Sequence, residues 1–444
     1  MTPDDPWAGR RLHFVGIGGA GMSGLALVAQ ALGASVTGSD QSAGSSYLAR
    51  LREAGIEPAS GHDAANVPEG ADVVISSAIP VDNPERVRAR ERGGRELHRA
   101  RLLGELTRLR PTIAVAGTHG KTTTSSMLVH ALIGCGLDPS YLVGGEVRST
   151  GTNAAWGEGE WLVVEADESD RSLLELTPEV AVLTNAELDH HTTYASRRDV
   201  DATFATFLAL VRRAAVIWQR PDLLALAPDE LEVLPFDADP ELLPGGSRFT
   251  LDGARVELAV PGAHNARNAA AALTAARLAG ADLARAAAAL STFAGAGRRF
   301  ELLGRTPQGA QVVDDYAHHP TEVAATLAAA RTLEPRRLVA AFQPHLYSRT
   351  QREAREFGNA LAAADHVVVL DVYPARERAE DYPGVSGLLV AEAVADAAHG
   401  RPVAWLPAAA QALTHLRRHL RAGDLCLTLG AGDIDALGRA LVDG

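Results

Sequence analysis

Hydrophobic positions in this chain gather into short unbroken runs, each closed by glycine or polar residues and followed by a stretch with helical spacing. The first run, Leu12-His13-Phe14-Val15, ends in Gly16-Ile17-Gly18-Gly19-Ala20-Gly21-Met22-Ser23-Gly24, and an apolar helix continues through Ala31. A second run, Ala34 to Gly38, stops at Ser39-Asp40, and a third spans Ala71 to Ser77. Short, wholly apolar runs suit strands covered on both faces, so the pattern predicts parallel strands alternating with helices. The arginine-rich stretch from Pro84 to Arg110 reads as helix, and a first domain is expected over residues 1–105.

The pattern restarts with the strand Pro111 to Ala116, a polar loop, and a helix from Thr122 toward Ile133. Strands are expected at Trp161 to Glu165 and Val180 to Thr184, loops and short strands from Pro221 to Gly253, and a helix pair from Asn265 to Leu290. These define a second domain, 106–297. A third, 298–444, carries strands at Gln311 to Tyr316, Arg337 to Phe342, His366 to Leu370 and Asp424 to Leu429, with a helix over Thr321 to Thr332. The chain is therefore expected to be α/β, with a mostly parallel sheet in the last domain. Its 444 residues exceed what one hydrophobic core supports.

Composition narrows the function. Hydrophobic residues make up 46% and charged residues 22%, which is ordinary for a soluble protein. No secretion signal and no membrane-spanning run is evident, so a cytoplasmic protein without membrane partners is expected. Cys135 and Cys426 lie in apolar stretches and read as small buried hydrophobes, indicating neither a disulfide nor a zinc site. A net charge of -13 argues against nucleic acid as a partner. Lys121 is the one lysine in the chain, while arginine fills the other basic positions. A slim point charge fits inside a tight glycine loop where a guanidinium does not.

That lysine sits in Gly117-Thr118-His119-Gly120-Lys121-Thr122-Thr123-Thr124, between a strand and a helix. The glycines are two residues closer than in the usual phosphate-binding loop, yet the physics is kept: backbone amides and a helix N-terminus face phosphates, Lys121 reaches them, and Thr122 can coordinate Mg²⁺. Glu165, heading Glu165-Ala166-Asp167-Glu168-Ser169-Asp170, is the candidate metal carboxylate, with His190 as a further ligand or phosphate contact. The glycine loop after the first strand fits NAD, FAD or a sugar nucleotide, and Asp40 stands where a dinucleotide enzyme would hold a ribose. In the third domain, Asp314 to Pro320 and Gln343 to Arg349 each follow an apolar strand, and Arg349 could hold a carboxylate.

Taken together, these stretches, with His264-Asn265-Ala266-Arg267-Asn268, resemble the Mur ligases of peptidoglycan synthesis over essentially the whole chain. The resemblance implies a Rossmann-like UDP-binding domain, a central P-loop ATPase-like domain and a C-terminal Rossmann-like α/β domain. It implies sugar-nucleotide contacts from Gly16, Gly18, Gly19, Ala20, Gly21, Met22 and Ser23, with Ser77 and Ala78 nearby. ATP would meet Gly117, Thr118, His119, Gly120, Lys121, Thr122 and Thr123, then Asn268, Arg299 and Asp315; Thr122, Glu165 and His190 would serve Mg²⁺. Tyr316, His318, His345 and Arg349 would meet L-alanine, with Lys121, Glu165, His190, His318 and Arg349 as the catalytic set. Several relatives carbamylate a lysine to hold a second metal; having no second lysine, this chain fits the alanine-adding branch, acting on UDP-N-acetylmuramate as monomer or homodimer. Joining a preformed peptide to the same nucleotide is the alternative, with NAD-dependent oxidoreduction a distant one.

Overall fold

A computed structural model describes residues 6–41 and 46–444 of the chain. The chain divides into two compact units, one of residues 1–237 with 268–289, the other of 238–267 with 290–444.

The first unit holds two sheets. In the five-stranded sheet, Arg11–Val15 lies between Ser35–Asp40 and Asp72–Ile75, with Ala59–Ser60 and Glu96–His98 outside them, all parallel. The stretch from Pro84 to Arg110 is not one helix. Asn83 caps a helix Pro84–Glu91 by accepting from the Glu85 amide at 2.9 Å, and Gly93, at φ +66, stops it. Leu97 then pairs with Val74 inside the sheet before Arg99–Leu106 resumes as helix. The apolar pattern was too sparse there to reveal a three-residue strand.

The seven-stranded sheet places Thr112–Ala116, buried throughout, between Val180–Leu183 and Leu162–Glu165. Its register sets Val115 opposite Glu165 and Ala116 opposite Leu183, so three strand ends reach the same edge. Ser140–Val147 and Thr152–Ala155 form an antiparallel pair beside it that the sequence pattern did not disclose. Cys135 is only partly buried, at the C-cap of helix Lys121–Gly134, where the helix emerges from the core; Cys426 is fully buried in its strand.

The second unit contains an antiparallel three-stranded sheet, Glu241–Leu243, Gly246–Leu251 and Ala254–Leu258, and a six-stranded sheet. In the latter, Asp424–Leu429 runs between Gln311–Asp315 and Arg337–Phe342, with Asp315 and Phe342 both opposite Leu429. His366–Val369 and Val403–Trp405 extend it in parallel, and only Glu301–Arg305 is antiparallel. Among the described residues no helix is long and apolar enough to cross a membrane.

Candidate active site

The loop after Thr112–Ala116 is shaped by two glycines that no other residue could replace without strain. Gly117 has φ +131, and a Cβ there would stand 2.1 Å from Thr184 Oγ1; Gly120 has φ +82, and a Cβ would stand 2.7 Å from Asn268 Oδ1. The neighbouring strand end straps the loop down. Asn185 Oδ1 accepts from the His119 amide at 2.9 Å, while Thr184 Oγ1 and Asn185 Nδ2 donate to the His119 carbonyl at 2.6 and 2.9 Å. Thr118 Oγ1 donates to the Glu187 carbonyl and accepts from its amide. Gly120 is the N-cap of helix Lys121–Gly134 and offers no side-chain cap, so the first-turn amides, Thr122 and Thr123 among them, point out of the loop.

Lys121 Nζ donates to the carbonyls of Gly117 and Thr118 at 2.7 and 3.2 Å and to both oxygens of Glu168 at 3.1 and 2.8 Å. Burial works against its charge, but Glu168 and Asp167 outweigh it and raise the lysine above its ordinary range. Glu168 also meets His190 Nε2 at 3.2 Å, and Tyr194 donates to its backbone carbonyl. His190 itself has φ +53, with its amide donating to Asp189 Oδ1.

The acidic run divides its labour in a way its order did not reveal. Arg99 binds Asp167 and Asp170 at 2.9 and 3.0 Å. Although burial favours the neutral acid, Lys121 and Arg99 hold Asp167 far below the usual carboxylate range. Glu165 accepts instead from Thr122 Oγ1 at 3.3 Å and from the Gly144 amide at 2.7 Å. A Cβ on Gly144 would lie 2.7 Å from Glu165 Oε2, so glycine is required for that cradle. A hydroxyl bonded to a cradled carboxylate offers oxygen donors of the kind Mg²⁺ takes beside phosphates, whereas His190 is set against Glu168. Glu168 is the residue missed by sequence reading; its signal was the same run, but nothing in the run separates it from Glu165.

In the five-stranded sheet, Gly16 has φ +75 and Gly18 donates its amide to Asp40 Oδ2 at 2.8 Å. A Cβ on Gly18 would lie 2.8 Å from that oxygen. Asp40 thus holds the glycine loop itself. Helix Ala20–Ala31 begins behind Gly19, again without a side-chain cap, and Met22 and Ser23 are buried in its first turn. Ser77 and Ala78 are exposed just past Asp72–Ile75.

In the second unit, Tyr316, His318, His345 and Arg349 form one chain of contacts. The Tyr316 and His318 rings meet edge-on at 5.3 Å, the His318 and His345 rings at 5.8 Å, and Arg349 Nη1 lies 3.3 Å from His345 Nδ1. Tyr373, which sequence reading missed, stacks on His345 at 5.8 Å across an isolated bridge. Arg299 lies over the Tyr316 ring and reaches Glu322 at 3.7 Å. His318 Nδ1 donates to the Tyr316 carbonyl at 2.9 Å, beside Glu322, which fixes Nε2 as its basic nitrogen. Asp315 accepts from the amides of Phe300 and Ala317, both at 2.8 Å; burial lifts it to about 6 despite Arg299.

Two glycine loops on parallel sheets, one with a strapped lysine loop and a cradled carboxylate, define a nucleotide-binding α/β protein of the P-loop class. The chain belongs to the Mur ligase family: residues 11–110 match its catalytic domain, 115–276 its middle domain and 298–432 its glutamate ligase domain. It is 47% identical to a UDP-N-acetylmuramate--L-alanine ligase from Acidithiobacillus ferrooxidans, covering 96% of each chain. Among solved structures it resembles the UDP-N-acetylmuramate-alanine ligase of Thermotoga maritima, with 29% identity, 98% of each chain covered and a TM-score of 0.82. A murein peptide ligase from Psychrobacter arcticus follows at 26% identity, 98% of each chain and a TM-score of 0.74.

Proposed function

We propose that the chain is an ATP-dependent acid–amino-acid ligase that joins L-alanine to the lactyl carboxylate of UDP-N-acetylmuramate in the cytoplasm, releasing ADP and phosphate for peptidoglycan precursor synthesis. The observation that carries this reading is the Lys121, Thr122 and Glu165 arrangement, in a chain 47% identical over 96% of its length to a ligase of that name.

A carboxylate is a poor electrophile, so the reaction needs activation before an amine can attack. The γ-phosphoryl group moves to a carboxylate oxygen, forming a C–O–P linkage while the bond to ADP breaks. The alanine nitrogen then attacks the carbonyl carbon, a C–N bond forms, phosphate leaves, and the amine loses a proton. Lys121 and the amides of Gly117 to Thr123 hold the triphosphate and offset the charge that spreads over the transferring group. Thr122, Glu165 and His190 would hold Mg²⁺, which when bound neutralises phosphate charge. Asn268 sits beside Gly120, and we assign it, Arg299 and Asp315 to the nucleotide.

The glycine loop from Gly16 to Ser23, with Ser77 and Ala78, is assigned to the sugar nucleotide. Asp40's bond to Gly18 supports this over a dinucleotide, since the carboxylate that would hold a ribose is engaged by the loop. Arg349 is assigned to the alanine carboxylate, Tyr316 and His345 to the walls around it. His318, with Nε2 basic, is the group to accept the amine's proton.

The test is phosphate release from ATP with UDP-N-acetylmuramate and each of L-alanine, glycine, L-serine and a murein tripeptide. L-Alanine should give the fastest release. Release with the tripeptide and none with L-alanine would overturn the proposal.

A further inference from the structure

Three histidines of the second unit meet at the end of the six-stranded sheet opposite to Tyr316 and His345. His366 is buried at the start of strand His366–Val369; His415 and His419 lie one turn apart at the end of helix Ala409–His419, the former partly buried and the latter exposed. Positions i and i+4 share one helix face, so both rings lean toward the sheet edge. His415 Nε2 stands 3.3 Å from His366 Nε2 with ring planes at 76°. The His415 and His419 rings stack at 4.0 Å, and the His366 and His419 ring centres lie 6.0 Å apart.

Two features separate this group from ordinary core histidines. A buried imidazole is usually satisfied by a carbonyl or carboxylate, yet His366 Nε2 faces a second imidazole, a pairing that requires one ring to supply the only proton between them. Two nitrogens bound to a tetrahedral zinc at about 2.0–2.1 Å stand about 3.3 Å apart, the separation found here. In addition, His419 Nδ1 donates to the His415 carbonyl at 2.7 Å, which fixes its tautomer and presents Nε2 as the lone-pair nitrogen. Arg337 is engaged by Asp424 and the His419 carbonyl, and the helix C-terminus adds partial negative charge.

We propose that His366, His415 and His419 form a site for one divalent transition-metal ion of the zinc class, with water completing the coordination. His366 and His415 provide the preset edge, and His419 swings in about its exposed side chain, exchanging its bond to the His415 carbonyl for the metal. The ion ties helix Ala409–His419 to the sheet and takes no part in ligation.

The full chain, stripped of metal, is titrated with zinc chloride by calorimetry without nucleotide, beside the double variant His415→Ala/His419→Ala, and Co²⁺ replaces zinc for absorption spectra. Wild type should bind one equivalent that the double variant lacks, with cobalt bands that vanish in the variant. His419→Ala alone should weaken binding by at least the roughly tenfold that losing even an outer partner of a metal site costs. Ligase turnover with Mg²⁺ should be the same in all three. Equal zinc stoichiometry and affinity in wild type and double variant, or cobalt spectra unchanged between them, would overturn the site. His419 is exposed and His415 only partly buried, and alanine is a good helix former at both positions, so folding is retained.

Discussion

Lys121 is the chain's only lysine, and its surroundings explain why arginine does not replace it. Its ammonium fits among the Gly117 and Thr118 carbonyls and Glu168 because it is compact. Lys121→Arg should therefore keep the fold and lower kcat about a hundredfold or more, the order seen when one preorganised donor is removed; near-normal turnover would contradict the loop assignment. Glu168, only 2% exposed at its side chain, makes a different prediction. Glu168→Gln removes the carboxylate hydrogen-bonded to the lysine, leaving Asp167 as the nearby negative charge, and should cost about 2–3 kcal/mol of stability in urea unfolding. ATP should then raise the melting temperature of the variant more than that of wild type, because phosphate replaces the lost charge.

At the scale of elements, close packing decides where the usual propensity rules reverse. Gly104 lies inside helix Arg99–Leu106, where glycine ordinarily weakens a helix. A Cβ there would stand 2.4 Å from the Glu175 carbonyl oxygen, so Gly104→Ala should destabilise by about 1–3 kcal/mol instead of stabilising, read as a lower urea midpoint. The same distinction explains what the sequence made legible. The strands Thr112–Ala116, Val180–Leu183 and Asp424–Leu429 are buried on both faces and announce themselves as apolar runs. The strand Glu96–His98 has one buried residue, and the pair Ser140–Val147 and Thr152–Ala155 mixes glycine, acid and hydroxyl side chains, so neither carries a period. Site residues followed the same divide. Lys121 was legible because its loop has a covalent spacing, whereas Glu168 and Tyr373 depend on contacts between segments far apart in the chain.

At the scale of the whole molecule, two compact units need not unfold together, and their buried titrating groups give them different acid responses. In the first unit, Glu85 is fully buried; burial opposes its charge, but His13, Ser39 and Asn66 bind it and hold it at about 2, against 4.5 for a free glutamate. Its contribution is complete above pH 4.5 and disappears as pH falls through about 2. The second unit carries groups of both signs. Asp315, lifted by burial from 3.8 to about 6, retains a proton in the folded state that the unfolded chain has released, so its effect on stability declines as pH rises from about 4 through 6. His264, pushed by burial and by Arg267 from 6.5 to about 4, binds its proton more readily when unfolded, so it adds stability as pH rises through the same interval. His366, pushed by burial and by His415 and His419 from 6.5 to about 4, adds a second rising component, so wild type should show only a shallow rise for this unit between pH 4 and 6, Asp315 offsetting part of what the two histidines supply. Asp315→Asn removes the falling component and keeps an acceptor for one of the two amides. Calorimetry of that variant should show the second unit's melting temperature climbing more steeply from pH 4 to 6.5 than in wild type. A flat response in the variant would mean that neither His264 nor His366 carries the opposing charge.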